Sequence, residues 1–168
     1  MRPALPEPPG IPPGACVPGA GLDLVDAAML ADQLDVPGTV FAERAFSARE
    51  RREARRRCQD TGSSQAEHLA ARWAAKEAFV KAWSQALAQR ARAAGAPGGP
   101  VIAAEELDWQ QIEMVTDRWG RPRLHLSGQV AQAVEDSLGP GSAQAECWPV
   151  SVTHETGWAA AIVLFQHP

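Results

Sequence analysis

Cysteine is scarce and scattered. Cys16, Cys58 and Cys147 are odd in number and far apart, and no two have the spacing of metal ligands. This argues against a disulfide framework and a cysteine-built zinc site, and points to a reducing, cytoplasmic setting. No apolar run is long enough to span a membrane, and the proline-rich start lacks the apolar stretch of a signal peptide. A basic excess is missing as well. A net charge of −4 gives no ground for a nucleic-acid or membrane partner. There is no internal repeat, and no low-complexity segment beyond that start. The charge is uneven, however: Arg49 to Arg57 holds six arginines, and Asp23 to Asp35 holds four aspartates and no base.

What remains is a chain of 168 residues, 45% hydrophobic, enough for one domain with a core. Residues 1–15 read as a disordered or polyproline-like arm, and 16–168 as a single domain. Ala20 to Val25 reads as a strand with Asp23 in its middle, and Ala27 to Leu34 as a short helix stopped by Pro37-Gly38. Ser47 and Glu50 form a capping-box pattern at the start of the arginine run. Gln65 to Ala94 is rich in strong helix formers, and Leu69, Trp73, Val80, Trp83 and Leu87 follow helical spacing. Two hairpins follow, separated by a helix over Gly128 to Leu138. One pairs Ile112–Thr116 with Arg123–Leu126; the other pairs Trp148–Thr153 with Trp158–Phe165, turning at His154 to Gly157. The pattern is α+β: one long central helix packed on mostly antiparallel strands.

The chemistry-bearing residues cluster on that helix. Lys76 falls within the apolar stripe, where a lone ammonium is costly, so it must reach water or meet an anion. Glu77 and Lys81 lie four apart beside the stripe, and Arg72 borders its other side. An ordinary ion pair on a solvated helix explains Glu77 and Lys81 equally well. Asp23 interrupts an apolar strand, Gly21-Leu-Asp-Leu-Val25, as a cap or a cation ligand. Asp23 and Glu77 make a carboxylate pair of the kind that holds Mg²⁺ together with substrate phosphates, with Arg72, Lys76 and Lys81 as a phosphate clamp. His154 reads as a turn histidine at a strand end, and His68 as facing outward. Composition and spacing identify no reaction beyond this.

Four segments then occur in order: Gly21-Leu-Asp-Leu-Val25, Arg72-Trp-Ala-Ala-Lys-Glu-Ala-Phe-Val-Lys81, Asp117-Arg-Trp-Gly-Arg-Pro122 and Ser151-Val-Thr-His154. In this the chain resembles the holo-acyl-carrier-protein synthases, a family of 4′-phosphopantetheinyl transferases, from about residue 16 to 166 and most nearly their actinobacterial members. The resemblance implies Mg²⁺-dependent transfer of the 4′-phosphopantetheine arm of coenzyme A to a serine of apo-acyl carrier protein, releasing adenosine 3′,5′-bisphosphate. It implies a homotrimer with active sites between subunits, serving fatty-acid or polyketide synthesis. By position, Asp23 and Glu77 match the metal ligands. Arg72, Lys76, Lys81 and His154 match the basic residues around coenzyme A, and Lys81 matches the one given a catalytic role. Glu77, directly or through a metal-bound water, is the candidate base.

The chain departs from the family's pattern in two places. Ser84 stands where many relatives have glycine, beside the nucleotide. The first helix is acidic where several relatives carry arginines facing the carrier protein. Carrier docking is therefore expected at Phe41, Arg44, Arg51 and Arg52, on and before the arginine-rich helix. Three alternatives stay open: a non-catalytic coenzyme A or nucleotide binder, a transferase domain of a larger synthase, and an interaction module built on the arginine helix. Met1 and the loose arm favour a free-standing chain over the second.

Overall fold

A capping box opens the longest element of this computed structural model. Ser64 Oγ accepts from the Glu67 amide at 3.1 Å, and the Glu67 carboxylate accepts from the Ser64 amide at 2.8 Å. The helix runs 30 residues, Gln65–Ala94, and ends where Gly95 turns left-handed at φ 65°. Residues 18–166 are described; the expected arm over 1–15, Cys16 and His167 lie outside them.

The elements in chain order are β1 (Gly19–Asp26), α1 (Ala27–Leu34), α2 (Phe41–Ala45), α3 (Ala48–Thr61), α4 (Gln65–Ala94), β2 (Ile112–Thr116), β3 (Pro122–Leu126), α5 (Gly128–Leu138), β4 (Val150–Glu155) and β5 (Trp158–Phe165). Single 3₁₀ turns at Trp109–Gln111 and Ala145–Cys147 precede β2 and β4. All strand pairs are antiparallel. β1, β5 and β4 form one sheet in that order, and β2–β3 form a separate hairpin. This is the expected α+β arrangement around a long central helix.

Boundaries differ in small ways with physical causes. The second hairpin closes on Thr156-Gly157, both at positive φ (49° and 83°), with Glu155 opposite Trp158. A two-residue turn of this hand matches strand twist, so β4 extends through His154 instead of stopping before it. The five-residue α2 and both 3₁₀ turns were not expected, because elements this short carry no periodicity.

The alanines of α4 explain how the layers close. Ala74, Ala75, Ala78, Ala82 and Ala86 are buried against the three-stranded sheet, while Phe79 and Trp83 pack with Ile112, Leu124, Val130, Val134, Trp148 and Phe165. Gly19 and Gly21 of β1 lie directly on α4. A β-carbon on Gly21 would collide with the Ala78 carbonyl oxygen and stand 2.6 Å from the Ala82 amide nitrogen. Glycine is what lets the two backbones touch here. Along β1 the next inward position after Gly19 and Gly21 is Asp23, so strand alternation delivers that carboxylate to the helix surface.

Candidate active site

Strand β1 and helix α4 meet at the site. Asp23 is buried, and its Oδ1 accepts from Lys81 Nζ at 2.6 Å; the same ammonium reaches the Leu22 carbonyl at 3.2 Å. Its Oδ2 is buried with no hydrogen-bond donor on it. The Glu77 carboxyl is half-buried beside Asp23. Burial raises its pKa, the Asp23 carboxylate beside it raises it further, and Lys81 opposes part of the rise. Two carboxylates thus converge with one ammonium between them, which leaves a net negative charge and an unsatisfied oxygen. A divalent cation fits that donor set. Among the described residues no group of three or more His, Cys, Asp or Glu side chains is placed to hold a metal. Two carboxylates are a donor set that fits Mg²⁺, which takes one or two carboxylates and completes its shell with water and substrate phosphates.

These residues lie on a groove of about 350 Å³ lined by Asp23, Glu77, Trp73, Trp158, Met29 and Gln33 among others. Trp73 also lines a second cleft, of about 480 Å³, with Phe41, Arg44 and Trp109. Ser84, one turn beyond Lys81, is exposed at the edge of an apolar hollow formed with Val80, Leu87 and Ile102. Trp158, Met29, Gln33 and Trp109 escaped the sequence reading; each lies in a different element from the motif residues it adjoins.

The expected cation clamp is split. Arg72 and Lys81 are nine residues apart, two and a half helical turns, so they point to opposite sides of α4 with about 13 Å of rise between them. Lys76 is on the far side from Lys81 as well, and is 0% exposed. Its ammonium donates to Glu50 Oε2 at 2.8 Å, to the Ala45 carbonyl at 2.8 Å and to the Trp109 carbonyl at 2.7 Å. An ammonium has three donors, and all are used. The anion that the apolar stripe demanded is therefore Glu50, which its sequence position marked only as a helix cap. In this structure Lys76 has no donor left for the phosphate expected there.

Arg72 differs. It is 3% exposed and donates to the His68 carbonyl at 2.9 Å, but its ion pair with Glu53 is long, 3.6 Å, and its Nε has no partner. His154 faces the same region from β4, its ring 6.0 Å from that of His68. His68, expected to point outward, is buried and bonds Ser63 Oγ at 2.8 Å. Burial lowers the His68 pKa, and the charges of Arg72, His154 and Arg57 lower it further. Arg72 and Arg57 thus bring positive charge beside His68 and His154, with the Arg72 Nε donor unsatisfied, a place suited to an anion.

Of the expected docking residues, Phe41 and Arg44 line the cleft beside Trp73. Arg51 is ion-paired with Glu43 at 3.0 Å. Arg52 is exposed, in a groove with Arg49, Arg56 and Thr116.

The sequence profile of the 4′-phosphopantetheinyl transferase superfamily matches residues 19–163. The holo-acyl-carrier-protein synthase of Mycolicibacterium smegmatis is 45% identical over 150 residues, covering 89% of this chain and 97% of that one. That of Corynebacterium glutamicum is 45% identical over 141 residues, covering 84% and 92%. A Chronobacterium ammoniagenes ACPS–CoA complex superposes with a TM-score of 0.70 at 38% identity, over 89% of this chain and 98% of that one. By sequence and by fold, the chain belongs to the 4′-phosphopantetheinyl transferase superfamily.

Proposed function

We propose that this chain is a holo-acyl-carrier-protein synthase, moving the 4′-phosphopantetheine arm of coenzyme A onto a serine of apo-acyl carrier protein. The observation that carries the reading is the convergence of Asp23 and Glu77 on one groove, with Lys81 bonded to Asp23. The names of its relatives and the bound CoA of the Chronobacterium structure support it.

In the proposed reaction the serine oxygen attacks the phosphorus that bears the pantetheine. The bond from that phosphorus to the bridging oxygen breaks, and adenosine 3′,5′-bisphosphate leaves with the bridging oxygen. Glu77, directly or through a bound water, takes the serine proton. Lys81, half in solvent and on a flexible stem, turns from Asp23 to the leaving phosphate. Mg²⁺ held by Asp23 and Glu77 would neutralise charge on the pyrophosphate. Arg72 and His154 bind the nucleotide end of coenzyme A, and Ser84 borders it.

Arg72 and His154 lie away from Asp23 and Lys81 on one chain, so the two clusters serve two different sites in a homotrimer. The outer face of the three-stranded sheet supports that assembly: Leu22 and Leu24 are 42% and 38% exposed, beside Ala160, Ile162 and Leu164. Such a contiguous apolar face on a soluble protein is a contact surface. Carrier docking falls on Phe41, Arg44 and Arg52, with Arg51 fixed behind them by Glu43. The setting is cytoplasmic, on the reading of the cysteines, and the product feeds fatty-acid or polyketide synthesis.

The test is intact-mass analysis of apo-carrier protein incubated with coenzyme A, with Mg²⁺ or with chelator. The carrier should gain one phosphopantetheine only with the metal. Glu77→Gln should fold and transfer nothing; normal turnover by that variant sinks the assignment. Binding of coenzyme A without any mass gain would support the non-catalytic alternative.

A further inference from the structure

The least exposed charged pair in the molecule has no part in the chemistry above. Lys76 is 0% and Glu50 1% exposed, and every polar atom of both is used. Besides Lys76, Glu50 Oε2 accepts from the Ser47 amide at 3.0 Å, and Oε1 accepts from the Met114 amide at 3.0 Å. Through its carbonyl partners Lys76 fixes the end of α2 at Ala45 and the 3₁₀ turn at Trp109. One ion pair therefore ties α2, α3, the 3₁₀ turn and β2 to α4.

Stability accounts for only part of this arrangement. The charges themselves could be replaced by an apolar pair of similar volume at little loss, at the cost of leaving the backbone partners unpaired. What an apolar pair cannot supply is direction. The Ala45 and Trp109 carbonyls are the backbone ends of the segments that wall Trp73: its ring lies 4.7 Å from that of Trp109 and 5.3 Å from that of Phe41. Trp73 in turn lines the groove with Asp23 and Glu77. Lys76 also immediately precedes Glu77. Anchoring one inward fixes the azimuth of the other, about 100° further round the helix.

We propose that Lys76 and Glu50 are positioning residues for the transfer reaction, holding the Trp73–Trp109–Phe41 wall and the Glu77 carboxylate in register, and that Lys76 is not a ligand of coenzyme A. This rests on the transferase reading for its kinetic arm and is independent of it for its structural arm. The test is the double variant Lys76→Met/Glu50→Leu, with Lys76→Met alone beside it, in the full chain with Mg²⁺. The expected result for the double variant is a folded protein whose Kd for coenzyme A stays near the wild-type value. Its kcat should fall at least about tenfold, the scale on which small misplacements act. Amide exchange should quicken over residues 41–46 and 108–112 and stay unchanged over β5. A tenfold loss of coenzyme A affinity with kcat intact would make Lys76 a ligand and overturn the proposal. Unchanged exchange and unchanged kcat would overturn it too. Failure of the double variant to fold would also count against it, since the pair would then be needed for folding itself. A wild-type chain that transfers nothing sinks the transferase reading alone, and the exchange measurement still decides the positioning.

Discussion

Glu77 carries two effects that push its carboxyl the same way, burial and the Asp23 charge. The native state therefore holds a proton on Glu77 more tightly than the unfolded chain does. Between the ordinary glutamate value and the raised one, the folded form binds more protons, so the stability of metal-free protein falls as pH rises through that window. The extra stability is present at and below the ordinary value. Urea unfolding in chelator across this range should show the decline, and Glu77→Gln should abolish it. Mg²⁺ competes with the same proton, so added metal should raise Tm at neutral pH and do little at acid pH. Transfer activity should fall on the acid side as Glu77 protonates, as a pH–rate profile would show. At this scale the sequence exposed the need and hid the partner. The apolar stripe showed that Lys76 must reach water or meet an anion. Periodicity gives an angle on one helix, however, and cannot say that Glu50, on another helix, fills the need. Arg72 and Glu53 repeat the lesson one turn away.

The contact of β1 with α4 sets the place of Asp23. Gly21 lies against backbone atoms of Ala78 and Ala82, which have no flexible end to move aside. Gly21→Ala should lift the strand, cost roughly 1–3 kcal/mol as overpacking does, and draw Asp23 away from Glu77. Chemical denaturation measures the first effect, and the mass assay should show transfer nearly lost at temperatures where the variant is still folded. Full activity in a folded Gly21→Ala protein would mean that the close contact does not position Asp23. Elements with chemical punctuation were legible in advance. The capping box at Ser47 forms as its spacing indicated, and α5 spans Gly128–Leu138 as expected; the second box, Ser64 with Glu67, lies where the sequence reads as loop. The glycines of β1 carried no such message, because their purpose depends on the alanines that lie opposite, some sixty residues on.

Across the whole molecule, the sheet has one face on α4 and one face bare of any covering element among the described residues. If the chain assembles as the proposed trimer through that bare face, replacing Leu22 and Ile162, cross-strand partners on it, by lysine should shift light-scattering mass from trimer to monomer, because like charges would meet across an apolar seam. If the two charged clusters of a chain serve neighbouring sites, mixing the variants Asp23→Asn and Arg72→Ala, each inactive alone, should restore part of the activity on subunit exchange. No recovery would confine each site to one chain. This level was the least legible, since a strand's alternation tells which residues share a face and not what covers it. The pairing of β1 with β5 also has a consequence in time. Asp23 is seated opposite Ala161, about 140 residues further along, so the strand that carries the carboxylate gains its neighbour only through a contact of long sequence separation. Such contacts form late in folding. The long helix and its lysines can therefore form before the carboxylate pair is in place, and catalytic competence comes at the end of folding.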